Sequence, residues 1–144
     1  MNAEIIFSIA NTTALFSWIL LAAAPRWIWT KRIVWTAIPL LLSAAYLILI
    51  ALFFGQAEGG FGTLADVMKL FTNKNAALAG WIHYLAFDLF VGSWEVKDAQ
   101  SRGISHWFVI PCLVLTFLLG PIGFLLYHIL RLVVPNKNAQ GEAK

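Results

Sequence analysis

A chain of 144 residues, 60% of them hydrophobic and 12% charged, with a mean hydropathy of +0.78, departs far from a soluble composition, in which about 25% of residues are charged. The net charge of +3 comes from basic residues scattered among short loops and a tail, which speaks to membrane topology and against nucleic-acid binding. A lone cysteine, Cys112, excludes an internal disulfide; inside an apolar run it reads as packing.

Four segments reach the roughly 20 apolar residues that a spanning helix needs. The first covers 5–24. Its start, MNAE, has no Lys or Arg, and Pro25 follows the small run at 22–24, so it reads as a retained span rather than a cleaved leader. No transit peptide is evident, and the expected setting is a bacterial inner membrane. Asn11 lies inside this span, where an amide wants a partner on another helix or a ligand. The loop at 25–32, PRWIWTKR, places Arg26, Lys31 and Arg32 beside Trp27 and Trp29, a cytoplasmic-interface pattern.

The second span covers 33–54, with Pro39 in its first two turns, where a helix tolerates it. A glycine-rich stretch follows. Within it, Leu64, Val67, Met68 and Phe71 recur at helical spacing opposite Asp66 and Lys69, predicting a short amphipathic helix over 63–71 that rests on the membrane or caps the bundle. No GxxxxGK phosphate loop occurs. The third span covers 76–96, a polar loop with Gly103 covers 97–105, and the fourth span covers 107–134, interrupted by Gly-Pro-Ile-Gly at 120–123. The tail, 135–144, is polar and expected to be disordered.

The expected fold is therefore all-α: one polytopic domain over 1–134 with four transmembrane helices and an amphipathic loop helix. Four spans put both termini on one side. Arg26, Lys31, Arg32, Lys97 and Arg102 then balance Lys69, Lys74, Arg131, Lys137 and Lys144. The tight cluster in the first loop tips the expectation to both termini outside the cytoplasm.

Chemistry concentrates in the third span. His83 and Asp88 stand where a structural span would have Leu or Val, and a charge near the bilayer centre costs at least about 2.5–3.5 kcal/mol. At 100° per residue, Trp81, Tyr84, Asp88 and Glu95 share a face within about 60°, with Gly92 alongside leaving room for a neighbour or a ligand. His83 lies about 140° from Asp88, on a stripe with Phe87, Phe90 and Trp94. The two thus face different neighbours or flank one cavity. Pro121 frees the Phe117 carbonyl, to which a protonated Asp88 can donate. By depth, Tyr127, His128 and Arg131 are expected near the level of His83, and His106 at an interface beside Trp107.

The three histidines lack HxxxH or HExxH spacing and no CxxC occurs, so no metal is expected. No GxSxG elbow occurs either. Helices packed by Leu, Phe and Trp leave little lumen, so a channel would need a homo-oligomer. The residues do allow acid–base work on a lipid-soluble substrate in a dry, aromatic pocket.

The block GWIHYLAFDLFVGSWEVKD at 80–98 continues through Gly-Ile-Ser-His at 103–106, Pro-Cys-Leu at 111–113, Thr116, Gly-Pro-Ile-Gly at 120–123 and Leu-Leu-Tyr at 125–127. Together with Asn11, Ala14, Leu15, Trp18, Pro25 and Arg26, it resembles the abscisic-acid-deficient, neoxanthin-synthesis family of membrane proteins, over about 5–134. The resemblance implies a four-helix membrane fold. It also implies a link to the conversion of violaxanthin to neoxanthin in plant plastids, upstream of abscisic acid. That isomerisation opens an epoxide and removes a proton to give an allene, with no redox cofactor. It suits Asp88 and His83 as acid and base, with Tyr84 or Tyr127 as a donor. Asn11, Trp81, Phe87, His106, Pro121 and Tyr127 are the expected substrate contacts. A carotenoid or isoprenoid and membrane lipids are the expected partners. The competing expectation is a non-catalytic scaffold, a pigment or lipid holder, or an accessory subunit.

Overall fold

The computed structural model describes residues 2–134, so the tail expected over 135–144 lies outside the described residues. Among the described residues every regular element is helical. Helix α1 (Ala3–Ala23) begins where the Asn2 side chain accepts the Glu4 N–H at 3.0 Å. The next helix starts at Thr30 in wide π-type turns, Thr30–Ala37, and continues as α2 (Ile38–Phe53) and a final 3₁₀ turn to Gln56. Pro39 explains the wide turns: it has no N–H for the Trp35 carbonyl, and the Ile38 N–H reaches back to Ile33 instead.

Helix α3 (Leu64–Thr72) is the expected amphipathic loop helix. Thr63 caps it, accepting the Asp66 N–H at 3.1 Å and donating to the Asp66 carboxylate at 2.7 Å. Leu70 is buried, while Leu64, Met68 and Phe71 point outward, as a helix resting on a membrane surface requires.

Helix α4 (Lys74–Arg102) is the axis on which α1, α2 and α5 pack. It runs six residues beyond the expected end at 96. The polar loop expected there is instead helical, because Asp98 and Arg102 form an i, i+4 ion pair at 2.9 Å. The helix stops only at Gly103, whose φ of 69° is the left-handed C-cap that glycine adopts most readily. Three helical segments are long and apolar enough to cross a membrane: Ala3–Ala23, Thr30–Gln56 and Lys74–Arg102.

The fourth crossing expected over 107–134 takes another form. The chain makes two short helices, α5 (His106–Leu119) and α6 (Pro121–Val133), hinged at Gly120 with φ 44° and ψ −93°. Gly123 then packs against the backbone of Thr116 and Cys112, so α6 doubles back along α5. At its far end Arg131 reaches Asp98 at 3.0 Å, near the C-terminus of α4 and the start of α5. The pair is a helical hairpin whose tip, Gly120, lies level with Asp88, at the middle of α4.

Two cores follow from this layout. At the hairpin end, Trp18, Leu21, Leu89, Val96, Leu113 and Tyr127 pack together. At the other end, small residues Ala10, Ala14, Ala79 and Ala86 let α1 and α4 approach closely around Leu42, Ile82 and Leu85. Glu4 and Lys74, paired at 2.7 Å, mark that end.

Candidate functional site

The α4 face shared by Trp81, Tyr84, Asp88 and Glu95 meets a different neighbour at each level. The Trp81 indole donates to Asn11 Oδ1 at 2.7 Å, joining α4 to α1 and giving Asn11 its interhelical partner. One turn on, the Tyr84 hydroxyl donates to the Phe117 carbonyl at 2.9 Å. That carbonyl is the one Pro121 cannot serve. The freed acceptor thus exists as expected, but Tyr84 takes it rather than Asp88.

Asp88 lies against the hairpin tip. A Cβ added at Gly120 would stand 3.0 Å from Asp88 Oδ1 and 3.2 Å from Oδ2. The carboxyl therefore lies directly on the bare Cα at the start of α6, where a helix N-terminus favours negative charge. Asp88 is half-buried, and among the described residues nothing hydrogen-bonds its Oδ2. Because the hairpin turns back here, α5 reaches this face only as far as Tyr84, and Trp81 beyond it meets α1 instead. Trp81 is 42% exposed.

Beneath the hairpin lies a residue that sequence reasoning placed on the right face without singling out. Glu95 is fully buried; its Oε1 accepts from the Thr116 hydroxyl at 2.9 Å and its Oε2 has no partner among the described residues. The signal was available: a glutamate two turns from Asp88 on one helical face, inside an apolar run. At the base, Asp98 binds Arg102 and Arg131 and accepts the Tyr127 hydroxyl at 2.7 Å. Arg131 also lies 5.4 Å from the Trp94 ring, whose other neighbours include His128. Asp98 is thereby the anchor of α6. Asp98→Ala takes the counter-ion from both partly buried guanidiniums and should cost about 1–3 kcal/mol, the range for losing a hydrogen-bonded partner of a charged group. Tyr127→Phe should cost about 1 kcal/mol, one hydrogen bond. Thermal unfolding in detergent micelles checks both.

Several expected site residues belong elsewhere. His83 is exposed on the opposite side of α4, 4.6 Å from the Phe87 ring and 5.4 Å from Tyr46. It packs on those rings rather than on Asp88, so the two form no direct acid–base pair. Tyr127, His128 and Arg131 lie level with Trp94 and Asp98, at the end away from His83, because the hairpin reverses the depth of α6. Tyr127 is fully buried and spent on Asp98. The His106 Nε2 donates to the Ala22 carbonyl at 2.8 Å, closing the end of α1. Pro121 is exposed at the start of α6. The room beside Gly92 is filled by the Trp18 ring, 2.5 Å from where a Cβ would be.

Phe87 lines a lateral groove of about 600 Å³ between α2 and α4, with Leu40, Phe90 and Trp94. Neither Asp88 nor His83 lines it, and it opens on the side of α4 away from Asp88. Among the described residues no cluster of three or more His, Cys, Asp or Glu could hold a metal ion.

A family model described as ABA4-like (ABA DEFICIENT 4-like) matches residues 5–127. No curated protein and no solved structure matches the chain.

Proposed function

The chain belongs to the ABA DEFICIENT 4-like family, and from that premise we propose that it is an intramembrane isomerase of a carotenoid epoxide or related isoprenoid, with Asp88 as its proton-transferring group. The observation that carries this reading is the Asp88 carboxyl: half-buried beside Tyr84 at the middle of an apolar helix, with an Oδ2 that has no hydrogen-bond partner among the described residues. An intramembrane carboxylate not consumed by structure is a functional site by default.

The exposed Trp81 edge above the hairpin tip lets an apolar chain approach from the lipid. Asp88, protonated, gives its proton to the epoxide oxygen as the C–O bond breaks. The carboxylate so formed removes a proton from the polyene carbon, and the electron pair left behind completes the allene. The carboxyl is regenerated, and substrate and product are isomers. Tyr84 is a positioning residue, held by the Phe117 carbonyl one turn from Asp88. The test is to supply the purified protein in micelles with a carotenoid 5,6-epoxide and separate the pigments by chromatography. An allenic isomer is expected; an unchanged epoxide with folded protein refutes the reading.

One observation favours a second reading, a pigment or lipid holder: the roughly 600 Å³ groove lies away from Asp88. A protein that purifies with pigment bound but converts nothing would fit it.

We further infer that the first-loop end faces the cytoplasm. With α6 folded back, Arg26, Lys31, Arg32, Lys97, Arg102 and Arg131 gather at that end, against Lys69 and Lys74 at the other, the asymmetry of the positive-inside rule. A cysteine placed at Gly103 should react with a membrane-impermeant maleimide only after the cells are opened, and one at Gly60 before; the reverse pattern refutes the orientation.

A further inference from the structure

The groove between α2 and α4 has a composition that the acid–base reading does not use. Its floor is Phe87 and Phe90 of α4 and its wall is Pro39 and Leu40 of α2, all apolar. Toward the first-loop end it closes on Trp35 and Lys97. Lys97 is exposed and has no carboxylate partner among the described residues. Lys31 likewise has none, and its Nζ sits 5.7 Å from the centre of the Trp35 ring. The slot therefore combines apolar sides with a rim of two cations that have no carboxylate partner among the described residues. Its volume of about 600 Å³ lies within the roughly 300–1,000 Å³ of ordinary ligand sites.

These features select the occupant. An uncharged polyene would leave both lysines unused. A second copy docking through this face would bring like charges together, which opposes association. An anionic phospholipid uses both parts: an acyl chain for the slot and a phosphate for the lysines. We propose that the groove binds one anionic phospholipid, its acyl chain against Phe87 and Phe90 and its phosphate at Lys97 and Lys31. The site lies on the side of α4 away from Asp88 and does not depend on catalysis there. It also places the head group at the end where the other basic residues gather, the end that meets an anionic leaflet surface.

The experiment is native mass spectrometry of the full chain released from detergent with added phosphatidylglycerol or phosphatidylcholine of matched acyl chains. Phosphatidylglycerol should bind about thirtyfold more tightly, the preference expected from two lysines near an anionic head group. The double variant Lys31→Gln and Lys97→Gln alters only the rim, so it should fold normally, bind phosphatidylcholine as before, and lose the preference. Leu40→Trp, at an exposed lining position, should weaken both lipids by filling the slot. The proposal is overturned if the two lipids bind alike to the unaltered chain. It is also overturned if the preference survives in the double variant, or if it disappears with Arg26→Gln and Arg32→Gln instead. A pigment or a second copy held in the groove in place of phosphatidylglycerol would overturn it too.

Discussion

Asp88→Asn should abolish pigment conversion and leave the protein folded. The amide is nearly isosteric with the carboxyl, so its packing on Gly120 and its place beside Tyr84 survive. What it loses is a titratable proton, and general acid–base catalysis by a positioned side chain contributes about 10²- to 10⁴-fold. Both halves of the proposed reaction run through this one carboxyl, so the loss should fall at the upper end of that range. His83→Gln is the matched control. It removes another polar residue of the same span, but His83 lies on the opposite, exposed side of α4, and turnover should remain within about twofold, a change worth well under 1 kcal/mol in the barrier. Turnover at the unaltered rate in Asp88→Asn, measured as product per folded protein, would remove Asp88 from the chemistry. A loss in His83→Gln as large as that in Asp88→Asn would restore the histidine.

The second large effect is structural. Gly123→Val should unseat the helical hairpin. A Cβ at this position collides with the Thr116 backbone and hydroxyl and with the Cys112 carbonyl. These are main-chain atoms and a buried hydroxyl, not the movable ends of long side chains. Overpacking a filled site typically costs about 1–3 kcal/mol and occasionally more, and valine adds two further methyl groups. The damage spreads, because Thr116 is the donor to Glu95. Losing that bond leaves a fully buried carboxyl with neither oxygen satisfied, a separate penalty of about 1–3 kcal/mol or more. The expected result is a lowered unfolding temperature together with faster proteolysis between α5 and α6. Gly60→Ala is the control: no atom lies within 4 Å of its added Cβ, and stability should not change. If Gly123→Val unfolds at the control temperature with α6 still protected, the close hairpin is wrong.

Read as a string, the sequence sufficed for the three long apolar helices, for α3 and for the faces that α4 presents. Continuous apolar runs with about 20 residues per span specify α1, the helix from Thr30 and α4, since backbone groups in lipid must be satisfied within the segment. Heptad-independent periodicity sufficed to place α3 and to put Asp88 and Glu95 on one side and His83 on another, because the 100° step per residue is local geometry. Pro121 sufficed to free the Phe117 carbonyl.

What the tertiary structure decided was direction and partnership. Whether the chain continues or reverses after Gly120 depends on the fit of Gly123 to Thr116 and on Arg131 finding Asp98, contacts between residues that no local pattern links. That reversal moves Arg131 to the opposite end of the bundle from the one a fourth crossing gives, turns a balanced charge count into an uneven one, and ends the cover over Asp88 at mid-helix. It likewise decided that Tyr84, not Asp88, takes the free carbonyl, and that Tyr127 and His106 are spent on Asp98 and Ala22. Local periodicity determines which way a side chain points from its own helix; which atom it meets there is determined by how the helices pack.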